Sequence, residues 1–382
     1  MLEARRVSVI VNNHNYGVFL REAIDSALNQ TYRSLEVIVV DDGSTDDSRH
    51  IIRSYGDRIR SVFKDNGGQA STFNAGFARC RGDVVLFLDA DDVLLPTAVE
   101  TAVRFFADSA VVKVHWPLWL IDRDGRRTGE VLPRQPLADG DLREAVIHMG
   151  PDSYQGAPTS GNAWSRSFLL RVLPAPEADY RNGADGYLLT LAPLFGVMRA
   201  VGEPLGFYRV HERNQFWSAS VDERNARSLL RYERRAVTLR QHLAVMGIHA
   251  DPDDWKKRNP YYQWMDRLNR ATDELKAVIP AGETFLLADE DQWGAQVLTG
   301  RRAIPFPESN GLYGGPPPDD TAAVREFERL HAAGAAFMVF GWPAFWWLDY
   351  YPSLNRQLHE RFRRILQNDR LVVFDLRQTL KR

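Results

Sequence analysis

Along its first hundred residues the chain alternates short, continuous apolar runs with segments of helical spacing. Val7-Ser8-Val9-Ile10-Val11 is a β-branched run that ends in the polar Asn12-Asn13-His14-Asn15. Residues 19–30 predict an amphipathic helix, with Leu20, Ile24, Ala27 and Leu28 on one face. Residues 35–40 predict a second buried strand, halted by Asp41-Asp42-Gly43-Ser44, and a helix follows from about Asp46 with Ser44 or Thr45 as its N-cap. Residues 59–63 read as a third strand, 70–81 as a helix and 83–88 as a fourth strand. Continuous apolar strands separated by helices predict a mostly parallel sheet with helices on both faces. Such sheets bind ligands beyond the carboxyl ends of their strands. Each of these strand ends carries polar or acidic residues, so a site is expected there.

After Ala110 the pattern changes. Residues 111–121 and 128–132 flank Asp122-Arg123-Asp124-Gly125, a hairpin-like turn. Residues 185–194 read as helix, 205–210 as a short strand, and 221–246 as a long, arginine-rich amphipathic helix. A second α/β unit begins near Glu283, with strands at 284–288, 335–340 and 370–374 and helices at 321–333 and 353–367. It suggests a small Rossmann-like layer, although it lacks the G-x-G-x-x-G phosphate loop. The expected division is a first domain over 1–220, a helical linker over 221–280 and a small α/β domain of unassigned role over 281–382.

The length of 382 residues also favours two domains. Net charge is -2, so no global field favours nucleic acid, and any phosphate site must be local. A single cysteine, Cys80, excludes an intramolecular disulfide framework and fits a reducing, cytoplasmic location. The opening Met1-Leu2-Glu3-Ala4-Arg5-Arg6 lacks the apolar stretch of a secretory signal. No segment approaches the roughly 20 apolar residues that span a bilayer, so any membrane contact is expected to be peripheral.

An Asp-x-Asp triplet alone says little, because the chain has five: Asp89/Asp91, Asp122/Asp124, Asp139/Asp141, Asp251/Asp253 and Asp289/Asp291. Context separates the first. Asp89-Ala90-Asp91-Asp92 directly follows the apolar Val84-Val85-Leu86-Phe87-Leu88, so three carboxylates crowd one strand end. Like charges at close range repel by up to ~4 kcal/mol per pair in a protein-like dielectric. A hard divalent cation that also grips a diphosphate would offset that. Helix capping is the plainer alternative, but a cap needs one acid and not three. At Asp41-Asp42-Gly43-Ser44-Thr45-Asp46 a turn and helix cap are expected, with one carboxylate spare to accept the imide N–H of a uracil or thymine ring.

Several pieces now fall in one order: the 7–15 run, Ala27-Leu28-Asn29-Gln30-Thr31-Tyr32, the stretch 36–46, Asn66-Gly67-Gly68, Asn74-Ala75-Gly76, Gly82-Asp83 and Phe87-Leu88-Asp89-Ala90-Asp91-Asp92. Together they resemble the nucleotide-binding half of a family 2 glycosyltransferase with the GT-A fold, more faintly to about His211. The resemblance implies an inverting, metal-dependent transfer of sugar from a nucleotide-diphosphate donor, with UDP favoured and Mg²⁺ or Mn²⁺ as cofactor. It implies donor contacts at Asn12, His14, Asp41, Asp42, Gly68, Asp89 and Ala90, and a metal at Asp91, Asp92 and His211. Ala184-Asp185-Gly186-Tyr187-Leu188-Leu189 matches the family's catalytic-base pattern at Asp185, though an acid after Gly183 also suits a helix start. The acceptor would be a saccharide, lipid-linked or small-molecule hydroxyl, in a role such as polysaccharide biosynthesis.

Two departures sharpen this reading. Processive synthases of the family carry Gln-x-x-Arg-Trp and transmembrane helices. Here Gln215-Phe216-Trp217 is no substitute, and single addition is expected. The C-terminal unit lies outside the family pattern. Its Trp342, Phe345, Trp346, Trp347, Tyr350 and Tyr351 form either a core or an acceptor-binding or homodimer surface. Two rival functions would require other features. A sugar nucleotidyltransferase needs a basic, glycine-rich phosphate loop, yet Asn12-Asn13-His14-Asn15-Tyr16 is followed by no Lys or Arg until Arg21. A nucleotide-sugar-binding module without activity would have no need of Asp185.

Overall fold

The computed structural model describes residues 5–212, 214, 220–294 and 297–380; Gln215-Phe216-Trp217 and residues 1–4 lie outside the described residues. The chain divides into two units, Met1–Trp217 with Arg231–Asn259, and Ser218–Leu230 with Pro260–Arg382. The helical stretch expected between two domains is thus shared out between the units.

The first unit opens with β1 (Val7–Asn13), α1 (Gly17–Leu28), β2 (Leu35–Asp42), α2 (Ser48–Ser54), β3 (Arg60–Lys64), α3 (Gln69–Phe77) and β4 (Val84–Asp89). It continues through β5 (Val93–Leu94), α4 (Ala98–Val103), β6 (Val111–His115), β7 (Leu118–Ile121), β8 (Arg127–Leu132), α5 (Arg143–Met149), β9 (Asn162–Ser165), α6 (Arg166–Val172), α7 (Ala184–Leu191), β10 (Val197–Ala200) and β11 (Gly206–Arg209). The main sheet has the order β10-β6-β9-β4-β1-β2-β3, parallel except where β9 runs against β4 and β6.

Both faces of this sheet are buried, as continuous apolar strands require. Val7, Val9 and Val11 pack with Leu20, Ile24 and Ala27 of α1. On the other face Gly76 of α3 lies so close to Ile10 that a Cβ would stand 2.4 Å from its Cγ2. Each aliphatic side chain so buried contributes ~1.5–3 kcal/mol. Parallel register then aligns the strand ends: Asn12 pairs with Asp89, Asn13 with Asp41 and Asp42 with Lys64.

The 111–121 run is two strands rather than one. Trp116-Pro117 interrupts it, because proline has no N–H for a ladder. β7 then joins a second sheet of order β5-β11-β7-β8. In that sheet Phe207 pairs with Val93, which ties the stretch before His211 to the stretch after Asp92. The expected Ser44 or Thr45 cap is also corrected: Asp47 occupies the N-cap position of α2, and Ser44 Oγ instead accepts the Asn15 amide at 2.9 Å.

Two helices follow α8 (Val221–Val245), namely α9 (Pro252–Arg258) and α10 (Pro260–Val278). The second unit then contains β12 (Thr284–Ala288), β13 (Arg302–Pro305), the small hairpin β14 (Glu308–Ser309) and β15 (Leu312–Tyr313), α11 (Asp320–Ala332) and β16 (Phe337–Gly341). It ends with α12 (Trp347–Tyr350), α13 (Pro352–Arg361), β17 (Phe362–Gln367) and β18 (Leu371–Thr379). The sheet order is β13-β12-β16-β18-β17, with β12, β13 and β16 parallel, β18 antiparallel to β16, and the edge strand β17 antiparallel to β18. Alternate residues face opposite layers: Leu286 and Ala288 pack under α11 and α13, Phe285 and Leu287 under α10. The helix expected over 353–367 stops at Arg361. The rest pairs as β17 against β18, since a neighbouring strand overrides local helical spacing.

Candidate functional site

The carboxyl ends of β1, β2 and β4 open into a cavity of about 880 Å³ in the first unit. Asn12 and Asp89, paired across β1 and β4, meet through a hydrogen bond from Asn12 Nδ2 to Asp89 Oδ1. Asn12 Oδ1 is buried and finds no donor among the described residues, so the cavity's base presents an unsatisfied acceptor. Asp42 accepts three donors. Its Oδ1 accepts Lys64 Nζ at 2.6 Å and Gly67 N at 2.9 Å, and its Oδ2 accepts Gly68 N at 2.7 Å. This fastens the loop before α3 to the end of β2.

Gly68 has φ +87°, and a Cβ there would stand 2.4 Å from the Arg181 carbonyl oxygen. Glycine thus lets two backbones approach, and Gln69 N donates to Arg181 O at 2.7 Å. Gln69 Oε1 also accepts the amides of Gly183 and Ala184, at 3.0 and 2.9 Å. It caps the start of α7, whose first turn holds Asp185. Arg181, Asn182 and Gly183 line the cavity, and Asp185 follows them directly.

The acids after β4 differ in environment. Burial first, then the Asp91 carboxylate, pushes the Asp89 pKa up to about 7, against the Asn12 hydrogen bond. Asp185 adds to the same rise. Asp92 is 1% exposed, and burial, then Asp91 and Asp89, raises it well above the carboxylate range. Asp92 Oδ2 accepts Ser160 Oγ at 2.6 Å and its Oδ1 accepts the Arg209 amide at 3.1 Å. Asp91 Oδ2 lies 3.1 Å from His211 Nε2 and 3.4 Å from Asn214 Nδ2. Buried Arg209 supports this corner, donating through Nε to the Asp91 carbonyl at 3.0 Å and pairing with Glu22 at 2.7 Å.

The cavity wall therefore collects Asn12, His14, Asp42, Gly68, Asp89, Ala90 and Asp91. Two acids expected at the ligand are engaged elsewhere. Asp41 is buried in an ion pair with Arg49 at 3.0 Å, and accepts Asn13 Nδ2 at 3.0 Å and the Ser44 amide at 3.2 Å. Asp92 stands outside the wall, closed on Ser160 and Arg209. His211 is not a wall residue either, but β11 carries it to Asp91. Among the described residues no three His, Cys, Asp or Glu side chains converge as a metal site. Asp91 and His211 form a pair, an oxygen and an imidazole nitrogen. Gln69, Lys64 and Arg209 were not singled out by the sequence, because each acts on backbone or on residues distant along the chain.

Trp164 belongs to the core: it is 1% exposed and stacks with Phe168 at 5.7 Å between ring centroids. No helix among the described residues is long and apolar enough to cross a membrane.

Comparisons with known proteins bear on the family and the fold. The model for the family described as glycosyl transferase family 2 matches residues 8–149. The chain is 35% identical over 268 residues to an uncharacterized glycosyltransferase of Nostoc sp. (strain PCC 7120), covering 68% of this chain and 83% of the relative. It is 32% identical over 260 residues to the uncharacterized glycosyltransferase YibD of Escherichia coli (strain K12), covering 65% and 72% respectively. In structure it resembles residues 1–349 of S. aureus TarS, solved in complex with UDP-GlcNAc, with a TM-score of 0.50 and 16% identity over 72% of this chain and 76% of that one. That likeness is one of fold.

Proposed function

The chain belongs to glycosyl transferase family 2 and has the GT-A fold, and from that premise we propose that it moves a single sugar from a UDP-sugar donor to an acceptor hydroxyl with inversion of configuration. The observation that carries this is the meeting, at one cavity, of Asn12, Asp89 and Asp91 from parallel strand ends with the start of the helix that holds Asp185. Nucleotide ligands sit at such strand ends.

Asn12 and Asp89 hold the nucleoside part of the donor, Asn12 through its unsatisfied Oδ1 and Asp89 at the ribose hydroxyls. Asp42 acts through the loop it fastens and shapes the wall at Gly68. Asp185 takes the proton from the acceptor hydroxyl. The acceptor oxygen forms its bond to the anomeric carbon as the bond from that carbon to the diphosphate oxygen breaks on the opposite face. Gln69 keeps the first turn of α7, and Asp185 with it, in place by accepting the amides of Gly183 and Ala184.

The residues fit a divalent cation of the Mg²⁺ or Mn²⁺ kind. Asp91 and His211 would hold it, and such ions keep few protein ligands when phosphate oxygens and water complete the shell. When bound, the cation offsets charge growing on the departing diphosphate. The raised pKa of Asp89 and of Asp92 supports the need for positive charge here.

A thermal-shift series with sugar nucleotides, with and without Mn²⁺, tests the reading. UDP or a UDP-sugar should stabilise the protein, and Asp91→Asn should abolish the metal-dependent part. Donor turnover is then measured. Metal-dependent binding without turnover of any donor would turn the assignment into a binding module, and no stabilisation by any nucleotide would end it.

A further inference from the structure

A second Asp-x-Asp triplet, Asp289-Glu290-Asp291, stands at the carboxyl end of parallel strand β12, and the transfer reaction has no use for it. We propose that the carboxyl ends of β12 and β16 form a saccharide-binding platform, with the rings of Trp346 and Tyr350 stacking on the C–H face of a pyranose and Glu290 receiving its hydroxyls.

Topology marks the place first. The chain leaves β12 for β13 on one side, then crosses back through α11 to β16 on the other. The gap between β12 and β16 is therefore a switch point, where open α/β sheets bind ligands. Two loops leave it: Asp289-Glu290-Asp291 after β12, and the aromatic run Trp342 to Tyr351 after β16.

The two loops are tied together in a specific way. Both Trp346 Nε1 and Trp347 Nε1 donate to Glu290 Oε1, at 2.7 and 3.3 Å. Trp347 is fully buried and belongs to the core, whereas Trp346 is 42% exposed and Tyr350 61%. The rings of Trp346 and Tyr350 meet at 5.4 Å between centroids and 69° between planes. One indole thus anchors the carboxylate while its neighbour, held by the same oxygen, leaves ring surface in solvent. Glu290 and Asp291 adopt φ of 56° and 58°, a left-handed conformation that non-glycine residues rarely take. Tyr313 adds a phenol that burial, then Glu290, pushes up to about 12, so it stays a neutral donor beside the acids.

The chemistry selects the occupant. With no cation to bridge them, carboxylates repel phosphates and other anions, which disfavours nucleotides and acidic peptides. A neutral sugar ring matches, because it has an apolar C–H face for an indole or phenol and hydroxyl edges that donate to a carboxylate. The chain's family handles sugars, so such a ring is at hand as acceptor or product.

The test uses the full chain, fluorescently labelled, on an array of immobilised neutral and anionic glycans, followed by tryptophan-fluorescence titration with a free glycan that binds. Binding to neutral glycans is expected, at least tenfold weaker in Trp346→Ala and in Tyr350→Ala. Glu290→Gln, which retains an acceptor oxygen for both indoles, should weaken binding severalfold with an unchanged melting temperature. UDP-induced stabilisation should be the same in all three variants. The proposal is overturned if the wild type binds no glycan, if Trp346→Ala and Tyr350→Ala bind as the wild type does, or if Trp346→Ala converts a sedimenting dimer to a monomer without a change in glycan binding. Loss of UDP binding with glycan binding retained would remove the donor reading and leave the platform standing.

Discussion

Asp89-Ala90-Asp91-Asp92 and Asp289-Glu290-Asp291 share the Asp-x-Asp motif and each stands at the carboxyl end of an inner strand, β4 between parallel β1 and antiparallel β9 and β12 between two parallel strands, yet they have become different objects. Around the first, neighbours come from far along the chain: Asn12 from β1, His211 from beyond β11, Ser160 from before β9. Around the second, Asp289 is closed locally, accepting the amides of Asp291 and Trp293 at 3.2 and 2.7 Å. Local closure at Asp289 makes a turn and leaves Glu290 to meet two indoles of a distant loop, whereas the distant partners of the first triplet stand at a cavity. The triplet thus supplies charge at a strand end, and what packs against it decides whether that charge faces a ligand.

The comparison breaks first at the base. Asp185→Asn should lower acceptor transfer by ~10²–10⁴ while UDP-induced stabilisation persists, since a general base supplies about that factor. Steady-state kinetics beside thermal shift would show it, and a loss below tenfold would take Asp185 out of that role. Next, the same change at the two triplets should part them. Asp91→Asn should cost roughly 10²–10³ in turnover, the scale of losing one partner of transition-state charge. Asp289→Asn should leave turnover unchanged.

Gly68→Ala tests whether distant backbones build the cavity. It forces a left-handed residue and a Cβ against the Arg181 carbonyl, which together cost ~2–5 kcal/mol. Chemical denaturation should register that loss, with weaker UDP binding. A Gly129→Ala control also has positive φ, but no atom lies within 4 Å of where its Cβ would stand, so it should cost less.

The smallest effect is a pH dependence at the second triplet. Burial raises the Asp289 pKa from 3.8 to about 6. Between these values the folded chain holds a proton that the unfolded chain has released, so the stabilisation is complete below 3.8 and lost as pH rises through about 6. The shift of about two units corresponds to at most about 3 kcal/mol. Melting curves at pH 4.5 and pH 7.5 should show a drop to which Asp89 and Asp92 also contribute, and which is smaller in Asp289→Asn by the share of this one carboxyl. An equal drop in that variant would place the titration elsewhere.

Much of the first unit is legible in the chain. Residues 7–11, 35–40 and 83–88 are apolar almost without interruption, and a strand buried on both faces requires that. The polar residues that stop them mark the cavity. By contrast, the β17 strand reads as helix because Phe362 to Gln367 continues α13, and only the edge of β18 makes it a strand. Asp41 and Asp92 look like ligand residues from their position. Arg49, Ser160 and the Arg209 amide, none of them adjacent in sequence, draw them inward.

The amino-acid order alone determined which strands are buried, where their acids fall and which family pattern the first hundred residues follow, because hydrophobic period and local turn chemistry act over a few residues. Tertiary structure alone decided which of those acids face the cavity, that Gln69 caps the helix of Asp185, and that Glu290 binds two indoles from another strand's loop. Side chains so far apart along the chain meet only after the sheet has brought its strand ends together, and no local pattern records that meeting.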